Sequence, residues 1–270
     1  MPVASLNIQS VSGIPGGHID NAAIGFRSET MPHQMGPGAI PSTAPLSVVI
    51  PALDAAGLLP PCLAALEEGR RGGVVCEVVV VDGFSRDGTR DCAASLGARV
   101  VEAPRGRGTQ LAVGAAAARG DWLLFLHADT VLGLGWSRQV AAFVQQAQIA
   151  RTAAYFRLRL DDAGWRARLV ERGAAWRCRR LGLPYGDQGL LLSAEFYRSV
   201  GGFRALPLME DVDLVRRIGR RRLTALEATA TSSAARYRQG GYARRVLRNL
   251  GCLALYYLGV PPRLIVRLYA

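Results

Sequence analysis

Residues 120–130 read GDWLLFLHADT, in which five consecutive apolar residues, Trp122–Leu126, are followed at once by a histidine and an acid. An uninterrupted apolar run of this length predicts a strand that is buried on both faces, as in a parallel sheet. Ligands of such sheets bind at the carboxyl ends of the strands. Asp129 is therefore a candidate metal ligand, because a carboxylate at a strand end can hold a divalent cation against a diphosphate.

Three strand-like runs precede this segment and alternate with helical patterns: Leu46–Ile50, Glu77–Val81 and Ala98–Glu102. The alternation predicts an α/β fold with a mostly parallel central sheet flanked by helices. Asp54 follows the first run and Asp82 ends the second, so we expect both acids at the same edge of the sheet as Asp129. Acids delivered by separate strands to one edge favour a ligand site over isolated surface charges.

A second acidic motif, Glu210-Asp211, follows Pro207-Leu208-Met209 and precedes a helix-like stretch. A carboxylate on this separate element can deprotonate an incoming hydroxyl group. Together with Asp129 it suggests transfer of a sugar from a nucleotide donor. The alternative interpretation is an acid pair that only stabilises the amino terminus of a helix through the helix dipole.

The composition limits the function classes. At 270 residues the chain can bury one substantial core, and its net charge is +12. No lysine is present, so all 33 basic residues are arginine, and a Walker P-loop or a pyridoxal-phosphate Schiff base is excluded. The charge favours phosphates or anionic lipid, or reflects coding bias. We expect no nucleic-acid partner, because no zinc finger, helix-turn-helix or RNA-binding aromatic motif accompanies it.

Cysteine usage and hydropathy address the compartment. The five cysteines are scattered without C-x-x-C spacing, which favours reduced thiols in a cytoplasmic protein: Cys62, Cys76, Cys92, Cys178 and Cys252. No run of roughly 18 apolar residues predicts a transmembrane helix. The amino terminus lacks the basic-then-apolar order of a signal peptide. We therefore expect a cytoplasmic protein, with peripheral contact to the inner face of the cell membrane as an open alternative.

Three segments are expected along the chain. Residues 1–44 are rich in Gly, Pro, Ser and Met without periodicity, which predicts a disordered amino-terminal extension. Residues 45–240 carry the α/β pattern and all the acidic motifs. Residues 241–270 form an amphipathic helical tail that Pro261-Pro262 divides into two pieces. The tail either docks on a membrane surface or packs against the domain, and both readings stay open.

The order and spacing of six segments resemble family-2 glycosyltransferases, which have the nucleotide-diphospho-sugar transferase (GT-A) fold. The segments are SVVIPALDAAG (47–57), EVVVVDGFSRDGT (77–89), GDWLLFLHADT (120–130), GDQGLLL (186–192), GGF (201–203) and MEDVDL (209–214). The pattern is most similar to a bacterial subgroup linked with arsenosugar biosynthesis, and it resembles carotenoid-acid glycosyltransferases. The resemblance implies a single GT-A domain, a hexosyltransferase activity, Mg²⁺ or Mn²⁺ as cofactor, a UDP-sugar donor and a small-molecule or lipid-like acceptor.

The resemblance also implies roles for individual residues. Asp211 would be the catalytic base, and Glu210 would orient it or bind the acceptor. Asp82 would bind the base or ribose of the donor, for which a carboxylate acceptor is suited. Asp129 would be the metal ligand. His127 stands at the first position of the usual D-x-D motif and is a weaker metal candidate, because a lone histidine more often packs or forms hydrogen bonds.

Further binding residues are implied on the donor and acceptor sides. Pro51 and Asp54 would lie beside the nucleotide, although Asp54 suits a turn equally well. Arg107, in the segment RGRG, and Arg236 would approach the diphosphate, since guanidinium groups pair well with phosphate oxygens. Asp187 and Gln188, between glycines, would contact the acceptor, and an Asx-turn is the competing interpretation. The list of nucleotide-sugar-binding candidates is Pro51, Asp54, Asp82, Arg107, Asp129 and Arg236.

The resulting prediction is an inverting, metal-dependent glycosyltransferase that moves a sugar to a hydroxyl or carboxyl acceptor. The sequence does not predict a processive polymer synthase, because Arg236-Tyr237-Arg238 stands where such enzymes have a Q-x-x-R-W motif. A dinucleotide oxidoreductase would need G-x-G-x-x-G after the first strand, which is absent. Two alternatives stay open: a sugar nucleotidyltransferase, although PALDAAG does not supply its Gly-rich basic loop, and a non-catalytic module that binds a nucleotide or a membrane surface.

Overall fold

A computed structural model of the chain describes residues 45–147 and 151–269. Within these ranges the chain forms eight strands and ten α-helices. The strands are β1 (Leu46–Ala52), β2 (Val75–Asp82), β3 (Arg99–Glu102), β4 (Trp122–Phe125), β5 (Thr130–Leu132), β6 (Ala153–Leu160), β7 (Leu190–Ser193) and β8 (Leu223–Ser232). The helices are α1 (Leu59–Arg71), α2 (Thr89–Ser95), α3 (Arg107–Ala117), α4 (Trp136–Ala147), α5 (Trp165–Leu181), α6 (Ala194–Ser199), α7 (Glu210–Ile218), α8 (Ala235–Gly240), α9 (Tyr242–Tyr257) and α10 (Pro262–Tyr269).

The strands form one mixed sheet in the order β3-β2-β1-β4-β7-β6-β8-β5. Strands β3, β2, β1 and β4 are parallel neighbours, as are β6 and β8, whereas β7 runs antiparallel to both β4 and β6. The prediction of a mostly parallel sheet flanked by helices is confirmed. Since β2 and β4 lie on opposite sides of β1, the chain changes direction there, and a crevice opens at the carboxyl ends of β1 and β4.

Both faces of the sheet are buried by helices. Val48 and Ile50 of β1 belong to an apolar layer with residues of α1 and α4, while Val49 belongs to a second layer with residues of α7 and α9. Alternate side chains of one strand therefore enter opposite layers, which is why the parallel strands read as continuous apolar runs. A Cβ atom on Gly114 would lie 2.4 Å from Val49 Cγ1, so glycine lets α3 approach the sheet closely.

Several elements were not predicted from the sequence. Strand β8 has the sequence LTALEATATS, whose small and polar residues hide a ten-residue strand from a hydrophobicity pattern. Strand β5 and helix α4 were missed as well. Helix α2 begins after Gly88, its N-cap, and the neighbouring Asp87 accepts a 3.0 Å hydrogen bond from the Thr89 amide.

The carboxyl-terminal segment forms two helices, α9 and α10, with Pro261 and Pro262 at their junction. Cys252 and Leu253 of α9 are buried, as is Ile265 of α10. No helix among residues 45–147 and 151–269 combines the length and the apolarity that crossing a bilayer requires. The expected extension over residues 1–44 lies outside the described residues, and the three expected segment boundaries stay predictions.

Candidate active site

A cleft of about 900 Å³, part of it open to solvent, lies at the carboxyl edge of the sheet. It is lined by residues from the ends of β4 and β8, from the starts of α3 and α7, and from α8 and α9. Seven of the candidate residues from the sequence line it together: Arg107, His127, Asp129, Asp187, Glu210, Asp211 and Arg236.

Asp211 is held at the cleft by backbone hydrogen bonds. It lies in the first turn of α7, which begins after Met209 in a left-handed conformation with φ 66°. The amide of Gly186 donates to Asp211 Oδ2 at 2.8 Å, and the amide of Val212 donates to Asp211 Oδ1 at 2.7 Å. These two bonds fix the plane of the carboxylate, while its remaining lone pairs are available to a ligand in the cleft.

Glu210 is the buried member of the acidic pair. Its side chain is 1% exposed and forms an ion pair with Arg107, with 3.3 Å between Nη1 and Oε1. Burial, and secondly the neighbouring charge of Asp211, raises the pKa of Glu210 to about 7, and Arg107 opposes the rise. The two adjacent acids therefore have different environments, since Asp211 faces the cleft and Glu210 is withdrawn behind it.

His127 contacts the loop that positions Asp211. Burial, and then the positive charges of Arg107 and Arg236, lowers the pKa of His127 well below its usual value. The imidazole is therefore neutral at neutral pH, which is the form that can ligate a metal ion or accept a hydrogen bond. A Cβ atom on Gly186 would lie 2.5 Å from His127 Nε2 and 3.5 Å from Asp211 Oδ2, so glycine is required for this close approach.

Asp187 and Gln188, both predicted to contact the acceptor, have different environments. They lie in a short 3₁₀-helix, Gly186–Gln188. Burial raises the pKa of Asp187 to about 6 against the opposing charge of Arg177, and Asp211 and Asp129 raise it further. Asp187 lines the cleft, and its buried Oδ1 atom has no hydrogen-bond partner within the described residues.

Gln188 does not reach the cleft. Its side chain is buried, and its Oε1 accepts from Arg177 Nη2 at 3.0 Å and from the Tyr185 amide at 3.3 Å. Its Nε2 donates to the Phe156 carbonyl at 3.1 Å. Because the amide is fully engaged with the protein, the structure places Gln188 as a support for the Gly186–Gln188 turn rather than as an acceptor ligand.

The side chains present fit a divalent cation that takes most of its ligands from a bound diphosphate and water. Asp129 and the partnerless Asp187 oxygen supply hard oxygen donors to the same cleft, as Mg²⁺ and Mn²⁺ prefer. No cluster of three or more His, Cys, Asp or Glu residues that could enclose a metal occurs within residues 45–147 and 151–269. Asp129 therefore stays the candidate carboxylate ligand, and His127 lines the same cleft.

Asp82 and Asp54 lie at the ends of β2 and the neighbouring β1, outside the lining of the main cleft. Asp82 is fully buried; its Oδ2 accepts from the Ser85 amide at 3.0 Å, and its buried Oδ1 has no partner within the described residues. Asp54, at φ 48°, is exposed, and its Oδ1 accepts from the Arg86 amide at 2.8 Å. Its own amide donates to Ser85 Oγ at 2.9 Å, which ties the two strand ends together. Pro51, in β1, pairs with Val81 of β2 beside them.

Two supporting residues were not found from the sequence. Gln110 of α3 is buried, and its Nε2 donates to the carbonyls of Ala52 and Val81 at 2.8 Å each, so it bridges the ends of β1 and β2. Arg177 of α5 stacks on the Tyr185 ring with its guanidinium carbon 3.4 Å from the ring centroid, and it also binds Gln188. The sequence feature that could have identified Gln110 is its position on the apolar side of α3, one residue before the buried Leu111.

Comparison with known proteins identifies the family. Residues 47–190, just over half of the 270 residues, match the family described as "Glycosyl transferase family 2". The chain belongs to this family. The resemblance that the six sequence segments indicated is confirmed at the level of the family.

Curated relatives match a shorter stretch. Proteins named "PGL/p-HBAD biosynthesis glycosyltransferase", from Mycobacterium bovis and Mycobacterium tuberculosis, are 37% identical over 106 residues. The match covers 36% of this chain and 41% of theirs, so the chain spans less than half the length of these relatives.

Solved structures share the fold. Glucosyl-3-phosphoglycerate synthase from Mycobacterium tuberculosis, in complex with Mn²⁺, UDP and glucosyl-3-phosphoglycerate, is 22% identical, with a TM-score of 0.54 over 83% of each chain. TarS from S. aureus, residues 1–349 with UDP-GlcNAc, is 17% identical, with a TM-score of 0.54 over 69% of this chain and 58% of that one. At these identities the likeness shows the fold alone, and it confirms the predicted GT-A type.

Proposed function

We propose that the protein is an inverting, metal-dependent hexosyltransferase that moves a sugar from a UDP-sugar donor to a hydroxyl or carboxyl acceptor. The observation that carries the proposal is the placement of Asp211 and Asp129 in one cleft on different elements. Asp129 follows a strand of the parallel half of the sheet, and Asp211 begins a helix that the Gly186 amide ties to the antiparallel half. An inverting transfer needs this division between a leaving-group side and a base side.

Asp211 acts as the general base in this proposal. Its carboxylate takes the proton of the acceptor hydroxyl as that oxygen attacks the anomeric carbon of the donor. The hydrogen bonds from Gly186 and Val212 hold the carboxylate plane before the acceptor arrives, which reduces the orientation cost of the reaction. Glu210 behind it pairs with Arg107 and so connects the base to the start of α3.

The donor lies across the ends of the parallel strands. Asp82, with an unsatisfied buried oxygen, accepts from the nucleobase or ribose, and Asp54 and Pro51 flank it. Arg107, at the start of α3, and Arg236, in α8, approach the diphosphate from different elements. Asp129 would hold a Mg²⁺ or Mn²⁺ ion, which would supply positive charge against the leaving diphosphate. Support for uridine and manganese comes from the structural relative that contains Mn²⁺ and UDP and from the one that contains UDP-GlcNAc.

The acceptor enters on the side of Asp187 and Asp211. The acceptor class proposed is the one that the sequence predicts, a small molecule or a lipid-like compound. The closer assignment to arsenosugar-linked or carotenoid-acid enzymes rests on the sequence motifs alone and stays a prediction. The cytoplasmic location stays a prediction as well.

The decisive experiment is Asp211→Asn. We expect it to keep UDP binding, measured by calorimetry with Mn²⁺, and to lower turnover by about a hundred- to ten-thousandfold, the usual contribution of a general base. Turnover is measured as UDP released from UDP-glucose or UDP-GlcNAc, with water in place of the acceptor. Asp121→Asn is the matched control, because Asp121 is exposed at the other end of β4.

Near-wild-type UDP release by the Asn variant would show that Asp211 is not the base. If the wild-type protein binds UDP but releases it from no donor with either metal, the non-catalytic nucleotide-binding module is favoured instead. Formation of a nucleotide sugar from a nucleoside triphosphate and a sugar phosphate would favour the nucleotidyltransferase.

A further inference from the structure

Helix α9 is amphipathic, but it exposes apolar side chains to solvent and directs polar side chains into the cleft. Its solvent-facing stripe recurs every three or four residues and is apolar, with Leu247 69% and Leu250 53% exposed and Leu258, just past its end, 80% exposed. Its opposite side carries Arg245 and Asn249 into the cleft. A helix on a water-facing surface normally turns its polar side outward, so this exposed stripe indicates a different surrounding medium.

Helix α5 carries a second stripe of the same kind. Trp165, Leu169, Arg172 and Trp176 follow one another at intervals of four, three and four residues, which places them on one side of the helix. Trp165 is 67% and Trp176 54% exposed, and Leu169 is exposed beside them. Buried Ala167, Ala174 and Cys178 mark the opposite, inward side. Helices α5 and α9 contact each other, so the two stripes belong to neighbouring elements.

The charge around these stripes is predominantly positive, and nearby Asp161 and Asp162 are bound by Arg238 and Tyr242. After Glu227 the sequence contains seven arginines and no acidic residue: Arg236, Arg238, Arg244, Arg245, Arg248, Arg263 and Arg267. Helix α5 adds exposed Arg166, Arg172, Arg179 and Arg180, and its single acid, Glu171, is paired with Arg168 at 2.6 Å. Elements that lie in a bilayer interface typically combine exposed Trp and Leu with Arg. Their aromatic rings sit at headgroup depth, and their cations meet anionic lipid.

We propose that the α5/α9 face, defined by Trp165, Leu169, Trp176, Leu247, Leu250 and Leu258, docks on the surface of an anionic lipid bilayer. The face lies on the membrane rather than crossing it, in keeping with helices too short or too polar to span. Docking would hold the cleft, which the inward side of α9 lines, about 10 Å, one helix diameter, from the lipid, so that a lipid-like acceptor can be reached from the bilayer. The docking itself does not depend on the glycosyl transfer proposed above.

Intrinsic fluorescence provides a direct test, because the chain has four tryptophans and two of them, Trp122 and Trp136, are buried. Only Trp165 and Trp176 can respond to lipid. The full chain is mixed with vesicles of phosphatidylglycerol and phosphatidylcholine, and flotation is measured together with the emission spectrum. We expect co-flotation, a blue shift of the emission, and quenching by phosphatidylcholine with brominated acyl chains. Trp165→Phe/Trp176→Phe removes the shift and the quenching.

Partition coefficients separate the apolar from the charged contribution. Leu247→Ser/Leu250→Ser is expected to lower partitioning roughly a hundredfold, about tenfold for each leucine withdrawn from the interface. Arg244→Gln lowers it about fivefold, which corresponds to about 1 kcal/mol for one arginine near an anionic surface. The matched control is Leu134→Ser, because Leu134 is 97% exposed and precedes α4, which packs in the other apolar layer of the sheet. It leaves partitioning unchanged.

Three results would overturn the proposal. The first is a full chain that does not float with anionic vesicles, or that binds pure phosphatidylcholine equally well. The second is emission of Trp165 and Trp176, taken as the difference between the wild type and Trp165→Phe/Trp176→Phe, that is already blue-shifted and protected from acrylamide without lipid, which would show that the chain itself covers the face. The third is a concentration-dependent dimer in sedimentation that Leu247→Ser/Leu250→Ser abolishes while vesicle binding is absent. Circular dichroism checks that each variant is folded, so that a loss of vesicle binding is not caused by unfolding.

Discussion

Gly186→Ala is the sharpest probe of how the candidate base is held. The new methyl carbon would lie 2.5 Å from His127 Nε2, about 0.9 Å inside the 3.4 Å at which ordinary contact begins. Gly186 does not have a positive φ, so alanine is compatible with its backbone conformation. The contact is therefore relieved by movement of His127 or of the Gly186–Gln188 turn. Because the Gly186 amide donates to Asp211 Oδ2, movement of the turn displaces the carboxylate.

A displacement of about 1 Å at a reacting group can cost roughly a hundredfold in rate. We therefore expect Gly186→Ala to lower UDP release from UDP-glucose about thirty- to a hundredfold. UDP binding should change by less than about threefold, since the nucleoside contacts proposed for Asp82 lie at another strand end. Rates are measured by coupled UDP detection, and binding by calorimetry with Mn²⁺.

The matched control is Gly57→Ala, where a Cβ atom meets nothing within 4 Å and the rate should not change. A rescue variant makes the cause specific: in a His127→Ala background the new methyl group has room, so adding Gly186→Ala should cost much less than it does in the wild type. Full activity of Gly186→Ala, with an unchanged melting temperature, would refute the argument that this contact positions Asp211.

Three further predictions concern the donor, the pH dependence and the strand ends. Asp129→Ala weakens UDP binding only when Mn²⁺ is present, whereas Asp82→Ala weakens it with or without the metal; calorimetry with and without Mn²⁺ decides, and equal binding by both variants places the donor elsewhere. Burial raises the pKa of Glu210 from 4.5 to about 7, so the folded state holds more protons than the unfolded state between these values and the free energy of unfolding falls as pH rises through them. Glu210→Gln should weaken this fall in a series of urea titrations, and an unaltered pH dependence contradicts the burial argument. Gln110→Leu removes the buried amide that donates to the Ala52 and Val81 carbonyls, of which Ala52 keeps the Gly83 amide, and should lower the free energy of unfolding by about 1–3 kcal/mol, which denaturant titration measures.

The fold could be predicted where burial leaves a pattern in the sequence. Strands β1, β2 and β4 are covered on both faces, so their residues are apolar without interruption and the runs are recognisable. Strand β8 could not be recognised in this way, because exposed and buried positions alternate along a sequence of Ala, Thr and Glu. Its place in the sheet depends on pairing with β6 and β5, which are distant in sequence.

The candidate site was predictable to the extent that its residues follow strand ends or begin a helix. Asp129 and Asp211 line one cleft, as the motifs suggest. Gln188 has the same flanking glycines as Asp187, yet it points to Arg177 and the Phe156 carbonyl, because adjacent residues of a tight turn face different sides. Sequence spacing alone does not reveal which of two neighbours meets solvent. Gln110 shows the opposite case. This polar residue of α3 was not predicted to be important, although its buried amide bridges the ends of β1 and β2.

The family match ends at residue 190, so it covers only part of the candidate site. Residues 47–190 contain the strand ends proposed to hold the donor, whereas Asp211, Arg236 and helix α9 lie beyond the matched region. At the cleft, the contacts that join the parts include the Gly186 amide to Asp211 and Arg107 to Glu210. In the proposed reaction, the part shared with the family would hold the nucleoside and the metal, and the part beyond it supplies the base, Arg236 for the diphosphate and the approach for the acceptor. Substitutions that exchange acceptors without changing the donor should therefore concentrate after residue 190, and the outward-facing leucines of α9 belong to that same part.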